Sequence, residues 1–202
     1  ISKQDLVAGR NNAVSAAEKL AKKYGQKPIV YYTDGYYIYC IDQLGFPPRR
    51  VFQFHSIEEL ELLIWRAGNR KDISDPQIND EICGRYYQHD AIHAACKAYS
   101  ENHRGALLVM ATGTGKTRTA ISLADILMKA NWAKNILFLA DRISLVIQAK
   151  KNFVKLLPEV TTSVYTGGSL EKDPNARIIF STYQSMINLI NDETKEFGIG
   201  RF

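Results

Sequence analysis

The feature that most constrains this chain is the run Leu107-Leu108-Val109-Met110-Ala111-Thr112-Gly113-Thr114-Gly115-Lys116-Thr117, followed by the amphipathic stretch RTAISLADIL. An apolar segment, a glycine-rich turn and a helix in immediate succession is a strand–loop–helix unit. Glycines at 113 and 115 have no Cβ, so the backbone can turn tightly and aim successive N–H groups at one point. The helix that opens at the loop adds unpaired N–H groups and the positive end of its dipole, so the junction suits an anion. Set against G-x-x-x-x-G-K-[ST], the chain has Gly115, Lys116 and Thr117 in place, with Met110 at the first position. Lys116 can reach β- and γ-phosphates, and the Thr117 hydroxyl can ligate Mg²⁺. The residues expected to hold a nucleotide here are Thr112, Gly113, Thr114, Gly115, Lys116 and Thr117, with Lys116 the catalytic candidate.

The rest of the chain supplies the setting. Helices are expected over 5–24, 57–68, 87–101, 116–130 and 143–155, with a further one starting near Tyr183. Ser56 and Glu59 form a capping box for the second. Strands are expected on both sides of Asp34-Gly35, joined by a type I′ turn, then at VFQF (51–54), Ala106–Met110, Ile136–Ala140, Val160–Thr166 and Ile178–Ser181. Beyond residue 80, apolar strands alternate with helices, the pattern of a parallel, doubly wound α/β sheet. The polar stretch NRKDISDPQIND (69–80) suits a boundary, giving one part at 1–75 and another at 76–202. The chain has 202 residues, 46% of them apolar, enough for a core, and no apolar run long enough to span a membrane. Three cysteines, Cys40, Cys83 and Cys96, without C-x-x-C spacing, read as buried thiols. A net charge of +5 permits contact with a phosphate backbone without requiring it. The start, Ile1-Ser2-Lys3, lacks both an initiator Met and an export signal, which leads one to expect a piece of a longer cytoplasmic protein.

Further segments extend the pattern: Arg85-Tyr86-Tyr87-Gln88 upstream of the loop, then FLADRISLVIQ (138–148), Tyr165-Thr166-Gly167-Gly168 and Ser181-Thr182-Tyr183-Gln184. With MATGTGKTRTA they resemble the first RecA-like motor lobe of superfamily 2 helicases, and more narrowly the R subunit (HsdR) of type I restriction-modification enzymes. The resemblance covers about residues 80–202. It implies a P-loop NTPase fold, ATP and Mg²⁺ as cofactors, and an ATP-dependent double-stranded DNA translocase and endonuclease as the parent. It implies, too, the modification and specificity subunits as partners, and a prokaryotic cytoplasm. By position, Gln88 would read adenine, whose N6 and N7 a side-chain amide can pair, and Arg85 would flank the base or ribose. Arg142, Thr182 and Gln184 would touch the DNA backbone, with Thr166, Gly167 and Gly168 adding contacts.

In that family a restriction-endonuclease-like domain precedes the motor, so residues 1–75 are expected to be its C-terminal part. GRNNAVSAAEKL (9–20) resembles the helix after the catalytic strand, although Asn12 and Ala16 stand where a Gln and a Tyr are often found. No strand here carries Glu-x-Lys; Asp34 and Asp42 are accounted for by turn chemistry, and the nuclease carboxylates are expected upstream of Ile1. The Asp-Glu-x-His box and the second lobe are expected beyond Phe202, so these residues alone should hydrolyse almost no ATP. Alternatives are another superfamily 2 helicase, a type III restriction subunit, and a non-enzymatic docking module for DNA or partner subunits.

Overall fold

Asp34 shapes the first turn of the chain, and it does so differently from the expected type I′ geometry. In the computed structural model, which describes residues 3–42, 44–166, 169–171, 173 and 176–190, strands β1 (Val30–Thr33) and β2 (Ile38–Ile41) pair antiparallel with Thr33 opposite Ile38. The loop is therefore four residues long. Gly35 has φ +91°, but Asp34 is not among the residues with positive φ, so a type I′ turn is excluded. Asp34 Oδ1 instead accepts the N–H groups of Tyr36 and Tyr37, at 3.0 and 2.7 Å. An aspartate that satisfies two turn amides holds the wider loop closed.

The chain divides into two units. Unit 1 comprises Ile1–Arg70 with Asn102–Arg104; unit 2 comprises Lys71–Glu101 and Gly105–Phe202. In unit 1, β3 (Arg49–Val51) adds to β2, making a three-stranded antiparallel sheet in the order β1-β2-β3. This strand ends earlier than expected: Phe52 and Phe54 are 78% and 61% exposed and outside the ladder. Helix α1 (Lys3–Tyr24) packs on β1. Helix α2 (Ile57–Asn69) begins with the expected capping box, Ser56 accepting from Glu59 N–H while Glu59 accepts from Ser56 N–H. Ala17, Val30, Cys40, Val51 and Leu63 are the buried apolar residues of this unit.

Unit 2 contains α3 (Tyr86–Ser100), α4 (Lys116–Lys129), β4 (Ile136–Ala140), α5 (Ile143–Leu156), β5 (Thr162–Thr166), β6 (Ser169–Glu171), β7 (Ile178–Thr182) and α6 (Tyr183–Ile190). Its sheet has the order β4-β7-β5-β6, with the first three strands parallel and β6 antiparallel to β5. The central strand, β7, is buried along its whole length, as a strand covered on both faces must be. Ile178 and Phe180 face one layer with α4, α5 and α3; Ile179 faces the other with Met186 of α6. Helices on both faces of parallel strands make this a partial RecA-like, doubly wound α/β fold. An aromatic triangle, Phe138–Phe153–Phe180, with centroids 5.1–5.7 Å apart, ties α5 to the sheet.

One expected strand does not form. Ala106–Met110 belongs to no ladder; Leu107 and Val109 are 88% and 89% exposed, while Leu108 and Met110 are half-buried. The two-residue alternation of a strand is present, but pairing needs a neighbour, and no described residue supplies one. The antiparallel β6 was also not anticipated. All three cysteines are free and buried, as expected. Among the described residues no helix is long and apolar enough to cross a membrane.

Candidate nucleotide site and nucleic-acid edge

Gly113 and Gly115 sit at φ +80° and +90°, the left-handed conformation that makes glycine the residue of choice there. Between them, Thr114 hydrogen-bonds back to Ala111 through its hydroxyl at 2.6 Å, and its N–H makes a longer bond to the same carbonyl. The tight loop delivers the chain into α4 with Gly115 as its N-cap, and no side chain caps that end. The ladder starts with Thr119 N–H on the Gly115 carbonyl at 3.0 Å, so the N–H groups of Lys116, Thr117 and Arg118 precede it. No acidic residue lies in the first turn. The dipole's positive end is thus left uncompensated by the protein, which is what an anionic ligand requires.

Lys116 is exposed and reaches back over the loop, its Nζ 3.1 Å from the Ala111 carbonyl and 3.4 Å from that of Met110. Thr112 and Gly113 are exposed and Thr117 is half-buried. Gln88, on the first turn of α3, is only 3% exposed and lies against the loop: its Nε2 donates to the Thr114 carbonyl at 2.9 Å. A Cβ on Gly115 would fall 2.3 Å from that same nitrogen. Gln88 therefore braces the loop from within. Arg85, the N-cap of α3, donates to the Tyr87 hydroxyl at 2.6 Å beside it.

Arg118 is a residue the sequence reading missed. Its Nε donates to the Ile82 carbonyl at 2.6 Å and its Nη2 to that of Glu81, clamping the segment that leads into α3 onto the start of α4. The signal was available: a side chain directly after Lys-Thr must point away from the loop, and an arginine there is a ready carbonyl clamp.

The remaining candidates lie along one edge of the sheet. Ala140 is opposite Thr182, and Tyr165 is opposite Ser181, so β4, β5 and β7 end side by side. Arg142 follows β4 as the N-cap of α5; it is exposed, with Nε 3.6 Å from Asp141. Thr166 ends β5 and is half-buried. Thr182 is 5% exposed; its hydroxyl bonds the Ser185 hydroxyl at 2.9 Å and accepts Ser185 N–H, which caps α6. Gln184 is exposed on the first turn of that helix. Gly167 and Gly168 lie outside the described residues. Ile147, Lys150, Lys151, Val154, Lys155, Val164 and Thr166 line an open groove between α5 and β5, with three ammonium groups along it.

The loop's fit to a nucleotide triphosphate rests on that open helix end and on Lys116. For magnesium the chain offers the Thr117 hydroxyl, and no group of three or more His, Cys, Asp or Glu that could hold a metal occurs among the described residues.

The chain is similar to restriction-enzyme subunits. Residues 81–202 match the family described as type III restriction enzyme, res subunit. The type I restriction enzyme EcoKI endonuclease subunit of Escherichia coli K12 is 32% identical over 157 residues, covering 74% of this chain and 13% of that protein. The EcoAI endonuclease subunit of Escherichia coli is 41% identical over 109 residues, 54% of this chain and again 13% of the relative. A solved fragment of a putative HsdR subunit from Vibrio vulnificus YJ016 is 25% identical, with a TM-score of 0.43 over 89% of this chain and 33% of that one. The chain thus spans about an eighth of the length of its curated relatives.

Proposed function

The chain belongs to the family of type III restriction enzyme res subunits, and from that premise we propose that unit 2 binds ATP with magnesium at residues 112–117, as the first part of a double-stranded DNA motor. The parent would be the endonuclease subunit of a type I restriction enzyme, active in the prokaryotic cytoplasm with modification and specificity subunits. Unit 1 would be the C-terminal part of its nuclease domain. The observation that carries the reading is the uncapped start of α4 behind two left-handed glycines, with Lys116 across the loop.

In this reading, the N–H groups of the loop and of the first α4 turn grip the β-phosphate, and Lys116 stabilises charge on the γ-phosphate. Thr117 holds one position on magnesium, whose chemistry is to neutralise and orient the phosphates. Gln88 sets the loop's shape and, together with Arg85, lies on the adenine side. Arg142, Thr166, Thr182 and Gln184 meet the DNA backbone along the strand ends, and Gly167 adds a contact to it. There Arg142 supplies charge, while the α6 start capped by Thr182 supplies neutral contacts.

Two measurements test this. Binding of a fluorescent ATP analogue to this chain should weaken about 10–100-fold in Lys116→Ala, the equivalent of losing one hydrogen bond to a charged group. Hydrolysis should be almost absent from the chain alone. In the full-length parent, duplex DNA should stimulate turnover that vanishes in the same variant. Stimulation by single strands or RNA alone would indicate an unwinding helicase, and unchanged binding in Lys116→Ala would overturn the site.

A further inference from the structure

Unit 1 gathers four arginines, two of them in ion-pair range of one buried carboxylate. Arg49 opens β3, Arg66 and Arg70 stand one turn apart at the end of α2, and Arg104 comes from the 102–104 segment of the same unit. The Asp42 side chain is 1% exposed; its Oδ2 lies 3.8 Å from both Arg49 Nε and Arg104 Nη2. Those distances give charge attraction but exceed hydrogen-bond length. Its other oxygen is engaged, accepting Leu44 N–H at 3.1 Å.

Asp42 is the carboxylate in ion-pair range of the arginines; the groups beside it are a histidine, a glutamate held in a helix cap and a phenylalanine. His55 Nε2 is 3.2 Å from Arg49 Nη2. Arginine only donates, so that nitrogen must accept and the imidazole is neutral. Burial and Arg49 both push the His55 pKa down. Glu59, the other nearby carboxylate, accepts Ser56 N–H in the capping box. Phe46 lies beside two of the guanidiniums, 5.2 Å from Arg70 and 4.8 Å from Arg104, fixing their planes.

Arg104 Nη2 donates to the Pro47 carbonyl at 2.8 Å, but two other donors of the cluster are unused. The Nε atoms of Arg49 and Arg66 are buried and have no hydrogen-bond partner among the described residues. Burial, together with Arg66 and Arg104, pushes Arg70 down to about 10. Even there a guanidinium keeps its proton at neutral pH. The four guanidiniums therefore repel one another beside a carboxylate that two of them share, and they cannot relieve that repulsion by titration. A multi-oxygen dianion relieves it, because its oxygens accept several N–H forks at once.

We propose that Arg49, Arg66, Arg70 and Arg104 form a phosphate-recognition site in unit 1, accepting a phosphate group that is either free or part of a nucleic-acid backbone. The site is independent of the 112–117 loop.

The test uses the full chain carrying Lys116→Ala, so that phosphate binding at the loop is weakened and the unit 1 site is read as the part that responds to its own arginines. Equilibrium dialysis with inorganic phosphate should show one saturable site. Adding Arg66→Gln should weaken it about tenfold or more, while Lys22→Gln, which removes an exposed charge from the same unit, leaves it unchanged. Arg66→Lys should recover only part, since a point charge lacks the fork. If Arg66→Gln fails to fold, Arg104→Gln, at the more exposed guanidinium, replaces it. Fluorescence anisotropy with a short duplex identifies the source. A parallel loss beyond that of Lys22→Gln assigns the phosphate to a DNA backbone; an unchanged duplex affinity assigns it to a free phosphate. No saturable phosphate binding, or equal binding in Arg66→Gln and Lys22→Gln, would overturn the proposal and leave the arginines a purely structural role.

Discussion

Two glycines in one loop carry different physical burdens. Both have positive φ, but nothing lies within 4 Å of where a Gly113 Cβ would stand, whereas Gly115 meets Gln88 Nε2. Gly113→Ala should therefore cost about 1 kcal/mol, the backbone strain alone. Gly115→Ala should cost more, because Gln88 is buried and held on the Thr114 carbonyl and cannot swing away. Denaturant unfolding of both variants, and of Gly115→Ala with Gln88→Ala, measures the difference; equal losses for the two glycines would mean that Gln88 does not confine the loop. His55 supports a pH prediction. Its folded pKa lies below the ordinary 6.5 through burial and Arg49. Below about pH 6.5 the unfolded chain binds a proton that the folded unit refuses, so stability falls with pH from there down through the folded value. Unfolding midpoints between about pH 7.5 and 5.5 should show that loss, and His55→Gln should flatten it.

At the scale of single elements, Thr182 stands where β7 becomes α6, and its hydroxyl caps the helix. Thr182→Val keeps the shape and removes the cap, which should cost about 1 kcal/mol and speed local amide exchange in α6 about fivefold. An unchanged exchange rate would mean that the cap contributes nothing. Elements like this one were legible where local chemistry decides them. The capping box at Ser56 and Glu59, the helix after Lys116 and the apolar strands at 136–140 and 178–182 all follow from neighbours in sequence. What was not legible depends on distant partners or on turn geometry. Residues 106–110 have a strand's alternation but no ladder. Asp34 closes a four-residue loop by accepting two amides, which its pairing with Gly35 did not disclose. The β5–β6 pairing did leave a signal, since Gly167-Gly168 between Thr166 and Ser169 has the length and composition of a hairpin link. In the candidate site, the loop residues could be read directly, but the brace from Gln88 and the clamp from Arg118 are side-chain contacts across 26 and 36 residues. Asp42 shows the same limit: its turn role was visible in the sequence, and its arginine neighbours were not.

For the molecule as a whole, the division into two units predicts separable unfolding, and the buried thiols report on each part. Cys40 belongs to unit 1, Cys83 and Cys96 to unit 2, and all three are fully buried. Burial raises each thiol pKa, that of Cys96 to about 11. Since the thiolate is the nucleophile, alkylation of the native chain should be very slow at all three. Phe153 packs in the cluster that contains Cys83 and Cys96, and it joins Phe138 and Phe180 in the aromatic triangle. Phe153→Ala should destabilise unit 2 by about 3–5 kcal/mol through lost contacts and the cavity left behind. Pulse alkylation along a denaturant gradient, read by mass for each cysteine, should then show Cys83 and Cys96 reacting at clearly lower denaturant. Cys40 should keep its original midpoint, because it belongs to unit 1 and not to the cluster around Phe153. If all three midpoints shift together, the two units unfold as one cooperative body, and energy lost beside β7 is felt at β2.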